Sequence, residues 1–226
     1  MTFSRYVQLR EGVEGWFSDL AVAVCDIMLN HQTIKGDFFE IGAWHGRSAI
    51  LWMVHRRRDE NVYVVDLEVR DPLKHHLGRV SEELGGQYQL MKGSSYRVPD
   101  VTFQNEHSRQ MRLVHVDGDH SAAGISNDIQ IGHKMLHPHG VMVIDDFMNP
   151  RFPQITEVVM EYLHANAHDL TMVASGANKA FLVSSKFYDF WYEYLNTNLQ
   201  SELDIRVPGS TVYVGTFKNR TCFGVR

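Results

Sequence analysis

The sequence of 226 residues contains only two cysteines, which excludes a disulfide framework and a four-cysteine zinc site. Long hydrophobic runs are also missing: stretches such as 20–25 and 49–54 are far shorter than the ~18 residues that a membrane-spanning helix needs. Lysine and arginine (22) are outnumbered by aspartate and glutamate (27), and the net charge of −5 argues against a nucleic-acid-binding protein. The charged N-terminal stretch lacks a signal-peptide pattern. We therefore expect a cytoplasmic protein with neither a nucleic-acid nor a membrane partner.

The sequence does contain an alternation of strand-like and helix-like hydrophobic patterns. Seven segments have the composition of short buried strands: 37–41, 61–66, 87–91, 111–116, 140–144, 170–174 and 179–184. Helical spacing separates most of the first six, and a Ser-Gly-Ala-Asn turn joins the last two. This order predicts an α/β protein with a doubly wound, mostly parallel, seven-stranded sheet and an antiparallel C-terminal hairpin. Such sheets bind ligands at the carboxyl ends of their strands.

A glycine turn, Glu40-Ile-Gly-Ala-Trp-His-Gly-Arg-Ser48, joins the first strand to a helix. Gly42 and Gly46 allow a tight turn and close approach of a ligand, and the free N–H groups at the helix start can hold an anion. The spacing is not the Gly-x-Gly-x-x-Gly of dinucleotide-binding proteins. Asp66, about 20 residues after Gly46, ends the next strand, where a carboxylate can accept hydrogen bonds from ribose hydroxyls.

Acidic residues follow two later strands that we expect to be neighbours. Asp117 and Asp119 precede His120 after the fourth strand, and Asp145-Asp146 follow the fifth. Crowded carboxylates repel each other, and a divalent cation relieves that repulsion. Oxygen ligands favour Mg²⁺, with Mn²⁺ or Ca²⁺ as alternatives, and a single histidine is too few for zinc. The alternative is that Asp119 or Asp146 caps a helix; for Asp119 the roles of ligand, base and cap all stay open.

The segments 40–48 and 62–66 resemble the first two motifs of class I S-adenosylmethionine-dependent methyltransferases. The resemblance implies that Gly42 and Gly46 pack against the cofactor, that Ser48 meets its carboxylate, and that Asp66 meets its ribose. It also places Ser94, after the third strand, near the adenine. The full set of cofactor-binding residues that we infer from it is Glu40, Gly42, Gly46, Ser48, Asp66, Ser94 and Asp117.

The segments 116–121, 127–129 and 140–147 are similar to the metal-dependent methyltransferases of macrolide sugars and to proteins named cephalosporin hydroxylases, with catechol O-methyltransferase as a more distant likeness. This resemblance implies that Asp117, Asp145 and Asp146 bind the metal and that His120 is the general base. One departure concerns the pair after the fifth strand, which is Asp-Asp here and Glu-Asp in the macrolide-sugar enzymes.

These resemblances imply an Mg²⁺-dependent enzyme that methylates a hydroxyl of a small molecule, such as a sugar or another natural-product intermediate. A non-catalytic S-adenosylmethionine-binding partner protein and a nicotinamide-dependent oxidoreductase are the alternatives. We expect an N-terminal helical segment over 1–35, the cofactor-binding domain over 36–185, and a C-terminal helix and tail over 186–226. The aromatic-rich helix and the tail are candidates for a homo-oligomer contact or a lid.

Overall fold

The structure, a computed structural model, describes residues 2–226. Eight α-helices lie in this part of the chain: α1 (Thr2–Leu9), α2 (Asp19–His31), α3 (Arg47–His55), α4 (Asp71–Leu84), α5 (Val101–Glu106), α6 (Ala122–Met135), α7 (Pro153–Ala165) and α8 (Tyr188–Arg206). The strands are β1 (Asp37–Ile41), β2 (Val62–Asp66), β3 (Tyr88–Lys92), β4 (Met111–Val116), β5 (Leu136–Asp145), β6 (Leu170–Gly176), β7 (Lys179–Ser184), β8 (Val212–Phe217) and β9 (Arg220–Val225). None of the helices is long and apolar enough to cross a membrane.

The strands form one sheet in the order β3-β2-β1-β4-β5-β7-β6-β9-β8. Strands β1 to β5 run parallel to one another, and β7 runs antiparallel between β5 and β6. The predicted α/β class, the mostly parallel sheet and the hairpin are therefore confirmed. The predicted count of seven strands is wrong, because the C-terminal tail folds into a second hairpin whose strand β9 pairs with β6.

The sheet separates two hydrophobic cores. One core lies under α1, α2, α3, α4 and α8, and the other under α6 and α7. Burying apolar side chains on both faces is the arrangement that a doubly wound sheet requires. The carboxyl ends of the central strands are thus left as the exposed edge at which loops can build a site.

Helix α2 begins later than the apolar spacing of the sequence suggests, since that spacing runs from Val13 to Met28. In the structure, α2 begins only at Asp19, because the Ser18 hydroxyl accepts a hydrogen bond from the Ala21 amide at 3.2 Å and ends the preceding loop. Arg47 fixes that loop by donating to the carbonyls of Val13, at 2.9 Å, and Phe17, at 3.3 Å. Residues 13–17 consequently lie beside the glycine turn.

The tail lengthens the sheet at the edge formed by β6. Tyr188 and Trp191 of α8 are buried, and Phe190, Tyr192 and Tyr194 pack partly against the same core. The division of the chain at 35 and 185, and a subunit contact or lid formed by 186–226, stay predictions.

Candidate active site

A cavity of about 780 Å³ opens at the carboxyl ends of β1, β2, β4 and β5. Eight of the predicted site residues line it: Gly42, Ser48, Asp66, Ser94, Asp117, His120, Asp145 and Asp146. Glu40 and Gly46 are buried and do not line it. The structure therefore brings the glycine turn and the acidic cluster to the same cavity, while the binding role of each residue stays a prediction.

Both glycines of the turn have a left-handed backbone conformation, and at Gly42 close packing against backbone adds to the requirement for glycine. Gly42 has a φ of 81°, and a Cβ there would lie 1.8 Å from the carbonyl oxygen of Asp117. Gly46 precedes α3 with a φ of 89°, and a Cβ there would lie 2.8 Å from Leu73 Cδ1. The turn thus needs glycine at these positions before any ligand is considered.

Asp66 holds the glycine turn in place. Its Oδ2 accepts hydrogen bonds from the backbone amides of Ala43 and Trp44, both at 2.9 Å, and its Oδ1 accepts one from Glu68 at 2.9 Å. A carboxylate offers about four acceptor sites. One such site is left to face the cavity, where the resemblance predicts a ribose.

Glu40 lies beneath the cavity and is fully buried. Its Oε1 is 2.7 Å from His115 Nδ1, and this contact raises the pKa of His115 although burial alone would lower it. The other ring nitrogen, Nε2, is buried without a hydrogen-bond partner. The sequence did not point to His115, which lies on the same face of β4 as Leu113 and packs against the rings of Phe17 and Trp52.

Two carboxylates of the acidic cluster lie close to the imidazole of His120. The His120 Nε2 atom lies 3.4 Å from Asp146 Oδ2 and 3.7 Å from Asp117 Oδ1. The Phe152 ring meets the imidazole edge to face, with ring centroids 4.3 Å apart, and the Gln154 amide donates to the His120 carbonyl at 2.7 Å. The residue predicted to be the base is therefore held among the residues predicted to be metal ligands.

The three predicted metal ligands do not converge as one trio. Among the described residues, atoms within 4.8 Å of one another form two overlapping groups that share Asp117. One group adds His120 and Asp146, and the other adds His115 and Asp145. The first group has partly exposed side chains and oxygen donors of the type that Mg²⁺ binds, so these residues fit a divalent cation.

A buried lysine, Lys179, is part of this cluster and was missed from the sequence. It begins β7 and lies opposite Asp145 in the antiparallel register, where its ammonium forms an ion pair with Asp145 Oδ1. In the sequence it is simply a lysine at the start of the second strand of the hairpin. That position becomes informative only once the pairing of β5 with β7 is known.

These charges shift the acidities of the cluster in opposite directions. Desolvation and repulsion from Asp145 raise the pKa of Asp117 to about 7. Burial also favours the protonated form of Asp145, but the Lys179 ammonium outweighs it and holds the pKa of Asp145 below its usual range. The nearby Asp117 carboxylate raises the pKa of His120, against the opposing effect of burial.

Asp119 and Asp146 have different surroundings. Asp119 accepts hydrogen bonds from the backbone amide of Ser121 at 3.0 Å and from its hydroxyl at 2.7 Å, which lower the pKa of Asp119. It thus shapes the turn before α6, whose cap is Ser121. Asp146 has a φ of 56°, and its Oδ1 accepts from the side-chain amides of Asn149 and Asn178, each at 2.6 Å. Its Oδ2 stays directed at His120.

Two tryptophans form one wall of the cavity. Trp16 stacks on Trp44 with ring centroids 4.9 Å apart, and Trp44 stacks on His45 at 3.9 Å. Trp16 is nevertheless 88% exposed. His45 points away to Glu14, with Nδ1 3.4 Å from Oε2. A flat apolar surface thus stands beside the charged cluster, and the helical spacing of residues 13–28 concealed it in the sequence.

Comparison with known proteins matches residues 39–147 to the methyltransferase domain family. Comparison with curated proteins gives no match.

Solved structures of methyltransferases have the same fold. CalS11, a TDP-rhamnose 3'-O-methyltransferase of calicheamicin biosynthesis, is 14% identical with a TM-score of 0.57, over 80% of this chain and 92% of that one. The MycE methyltransferase of the mycinamycin pathway, in complex with Mg and S-adenosylhomocysteine, is 16% identical with a TM-score of 0.54, and the match covers 81% of this chain but only 53% of MycE. An O-methyltransferase from Bacillus cereus is 13% identical with a TM-score of 0.55, over 80% and 88% of the two chains. Residues 39–147 thus match the methyltransferase domain family, and the chain shares the fold of these solved methyltransferases.

Proposed function

We propose that this protein transfers a methyl group from S-adenosylmethionine to a hydroxyl group of a small molecule, with the help of Mg²⁺. The observation that carries the proposal is that one cavity joins the Asp66-supported glycine turn to the acidic cluster around His120. A donor held at the turn and an acceptor held at the cluster would face each other within this cavity. The methyltransferase domain and the solved structures that share the fold support the same reaction.

The glycine turn and the strand end after β2 would bind the cofactor. The remaining acceptor site of Asp66 suits a ribose hydroxyl, and the backbone at the start of α3, including Ser48, suits a carboxylate. Ser94 lines the far part of the same cavity, where the resemblance predicts adenine. This arrangement would direct the sulfonium methyl group toward the acidic cluster.

The acidic cluster would hold the acceptor. Asp117 and Asp146 are the residues that would bind the divalent cation, with Asp145 beside them. When bound, Mg²⁺ supplies positive charge that favours the ionised form of an acceptor hydroxyl. His120 Nε2, directed between Asp117 and Asp146, would accept the hydroxyl proton, and the fixed imidazole would keep that proton away from the donor.

The chemical class of the acceptor follows from the cavity wall and the structural relatives. The exposed face of Trp16 suits the apolar face of a sugar or another ring, and the carboxylates suit its hydroxyls. CalS11 is a TDP-rhamnose methyltransferase, and MycE belongs to the mycinamycin pathway. We therefore propose a sugar or natural-product hydroxyl as the acceptor.

The proposal is tested by incubating the purified protein with S-adenosylmethionine, MgCl₂ and a panel of glycosides. Mass spectrometry should detect S-adenosylhomocysteine together with a methylated glycoside, and EDTA should abolish both until Mg²⁺ is restored. Turnover that is unchanged by EDTA would contradict the metal requirement. Binding of S-adenosylhomocysteine without turnover of any acceptor would instead favour a non-catalytic cofactor-binding protein.

A further inference from the structure

Lys179 is a charged side chain that is almost completely removed from water. Its side chain is 1% exposed, and its ammonium contacts Asp145 and lies 5.0 Å from the centre of the Phe17 ring. Burying an ammonium is costly unless an opposite charge compensates it. If residue 179 served only to fill space in the core, an apolar side chain would do so at a lower desolvation cost. The buried charge therefore indicates an electrostatic role.

The charges around the cavity explain what this lysine contributes. Asp117, Asp145 and Asp146 together carry three negative charges when ionised, whereas Glu40 already has its own partner in His115. The single positive charge of Lys179 reduces the sum to two. A single divalent cation balances that remainder, whereas without Lys179 the cluster would hold one negative charge in excess.

The contacts of Asp145 show which carboxylate this lysine occupies. Asp145 Oδ1 accepts from the Lys179 ammonium and also from the Asp146 backbone amide at 2.6 Å. By contrast, Asp117 Oδ1 and Asp146 Oδ2 both lie near His120 Nε2, although Asp117 is also close to Asp145. Oδ1 of Asp145 is thus already committed to a resident cation, whereas Asp117 and Asp146 have no lysine or arginine partner among the described residues and are the carboxylates left to receive an ion from solution.

We propose that Lys179 is a positioning residue that holds Asp145 as its counter-ion, so that Asp117 and Asp146 alone bind the divalent cation. This inference rests on the proposed function for the presence of the cation and revises the ligand trio that the sequence predicts. The ion pair of β5 and β7 then sets both the charge and the ligand number of the site. It also explains why, of the consecutive residues Asp145 and Asp146, only Asp146 faces His120.

The test measures Mn²⁺ binding, by the electron paramagnetic resonance signal of the free ion and by calorimetry, in the full chain without substrate. Lys179→Met should tighten Mn²⁺ binding by at least about tenfold, because the added negative charge lies next to the site. Lys179→Arg keeps the charge and should stay within about threefold of the unchanged protein. Lys218→Met is the matched control, because Lys218 donates to the Leu163 carbonyl outside the cavity and its loss changes the net charge equally.

The double variant Asp145→Asn/Lys179→Met decides between a counter-ion and a ligand. It restores the charge of the cluster, so Mn²⁺ affinity should return to within about threefold of the unchanged protein. If Asp145 were a ligand, the double variant would instead lose binding as completely as Asp117→Asn, and that result would overturn the proposal. Circular dichroism and thermal melting of each variant show whether it is folded, and Lys179→Arg remains informative if Lys179→Met is not.

Two further outcomes also decide the matter. Weaker or unchanged Mn²⁺ binding in a folded Lys179→Met variant would refute the role of Lys179 as a counter-charge. If no form of the protein binds Mn²⁺, both this inference and the metal requirement fail. Methyl transfer itself is read separately, from S-adenosylhomocysteine formed with MgCl₂ and with EDTA, so failure of the proposed reaction is distinguishable from failure of this inference.

Discussion

Replacing Asp66 by alanine should both loosen the glycine turn and weaken cofactor binding. The substitution removes the acceptor of three backbone N–H groups, those of Ala43, Trp44 and Glu68, each bonded at 2.9 Å. A buried donor left without a partner costs ~1–3 kcal/mol. The Ala43 residue is buried, whereas Trp44 and Glu68 are more open to water, so the cost comes mainly from the first of the three. We expect a loss of ~2–4 kcal/mol in the free energy of unfolding.

The effect on binding is smaller and is measured separately. The single free acceptor site of Asp66 accounts for ~1–3 kcal/mol, so calorimetry should show a 5- to 150-fold weaker affinity for S-adenosylhomocysteine, in order of magnitude. Urea denaturation reports the stability. Asp59→Ala is the control, because Asp59 pairs with Lys35 at the exposed surface, and it should change neither quantity measurably. If Asp66→Ala weakened binding but left the stability equal to that of Asp59→Ala, Asp66 would be a ligand-binding residue only, and its assigned role in holding the turn would be wrong.

Three further predictions concern the turn, the base and the buried charges. Gly42→Ala should destabilise the protein by more than ~2 kcal/mol in urea denaturation, because the backbone there is left-handed and the new Cβ would lie 1.8 Å from the Asp117 carbonyl oxygen. Gly85→Ala is the control: with a φ of 68° and nothing within 4 Å of its Cβ, it should cost only ~1–2 kcal/mol. Equal losses in the two variants would refute the steric argument. His120→Ala should lower kcat by ~10²–10⁴-fold with unchanged affinity for S-adenosylhomocysteine. His168 is exposed, and His168→Ala should leave kcat unaltered. A near-normal rate in His120→Ala would show that His120 is not the base. Burial lowers the pKa of His55, so as the pH drops below about 6.5 the unfolded chain binds a proton at His55 before the folded protein does, and the free energy of unfolding should fall. His55→Gln should reduce the slope of the free energy of unfolding against pH. An unchanged slope would contradict this role of His55.

The parts of the fold and the site that could be predicted share one physical cause. In a parallel sheet all carboxyl ends lie at one edge, so a residue directly after a strand is placed as soon as the strand is recognised. Asp66, Asp117 and Asp145 were located in this way, and the register of Val116 with Ile144 brings the last two side by side. The hydrophobic runs of these central strands are nearly continuous, which is why their ends could be read from the sequence.

The parts that could not be predicted depend on pairings or caps that no periodicity reveals. Lys179 reaches Asp145 only through the antiparallel register of β5 and β7, and a shift of one residue would have turned its side chain to the other face. Trp16 reaches the cavity because Ser18 starts α2 later than the apolar spacing suggests. Strand β9 contains a polar start and a glycine, and it is a strand because β6 offers an unpaired edge.

The backbone joins the two halves of the site. The Asp117 amide donates to the Ile41 carbonyl at 2.8 Å, and the Gly42 amide donates to the Val65 carbonyl at 2.8 Å. The Asp117 carbonyl lies so close to Gly42 that a Cβ at position 42 would overlap it. A shift of the cofactor turn would therefore move Asp117, and with it the place where the cation and the acceptor hydroxyl are expected. Because methyl transfer requires donor and acceptor in line, this contact fixes their relative position through rigid strand ends instead of mobile loops. The need for glycine at position 42 thus arises from the alignment of two sites, since any side chain there would separate the turn from the acidic cluster.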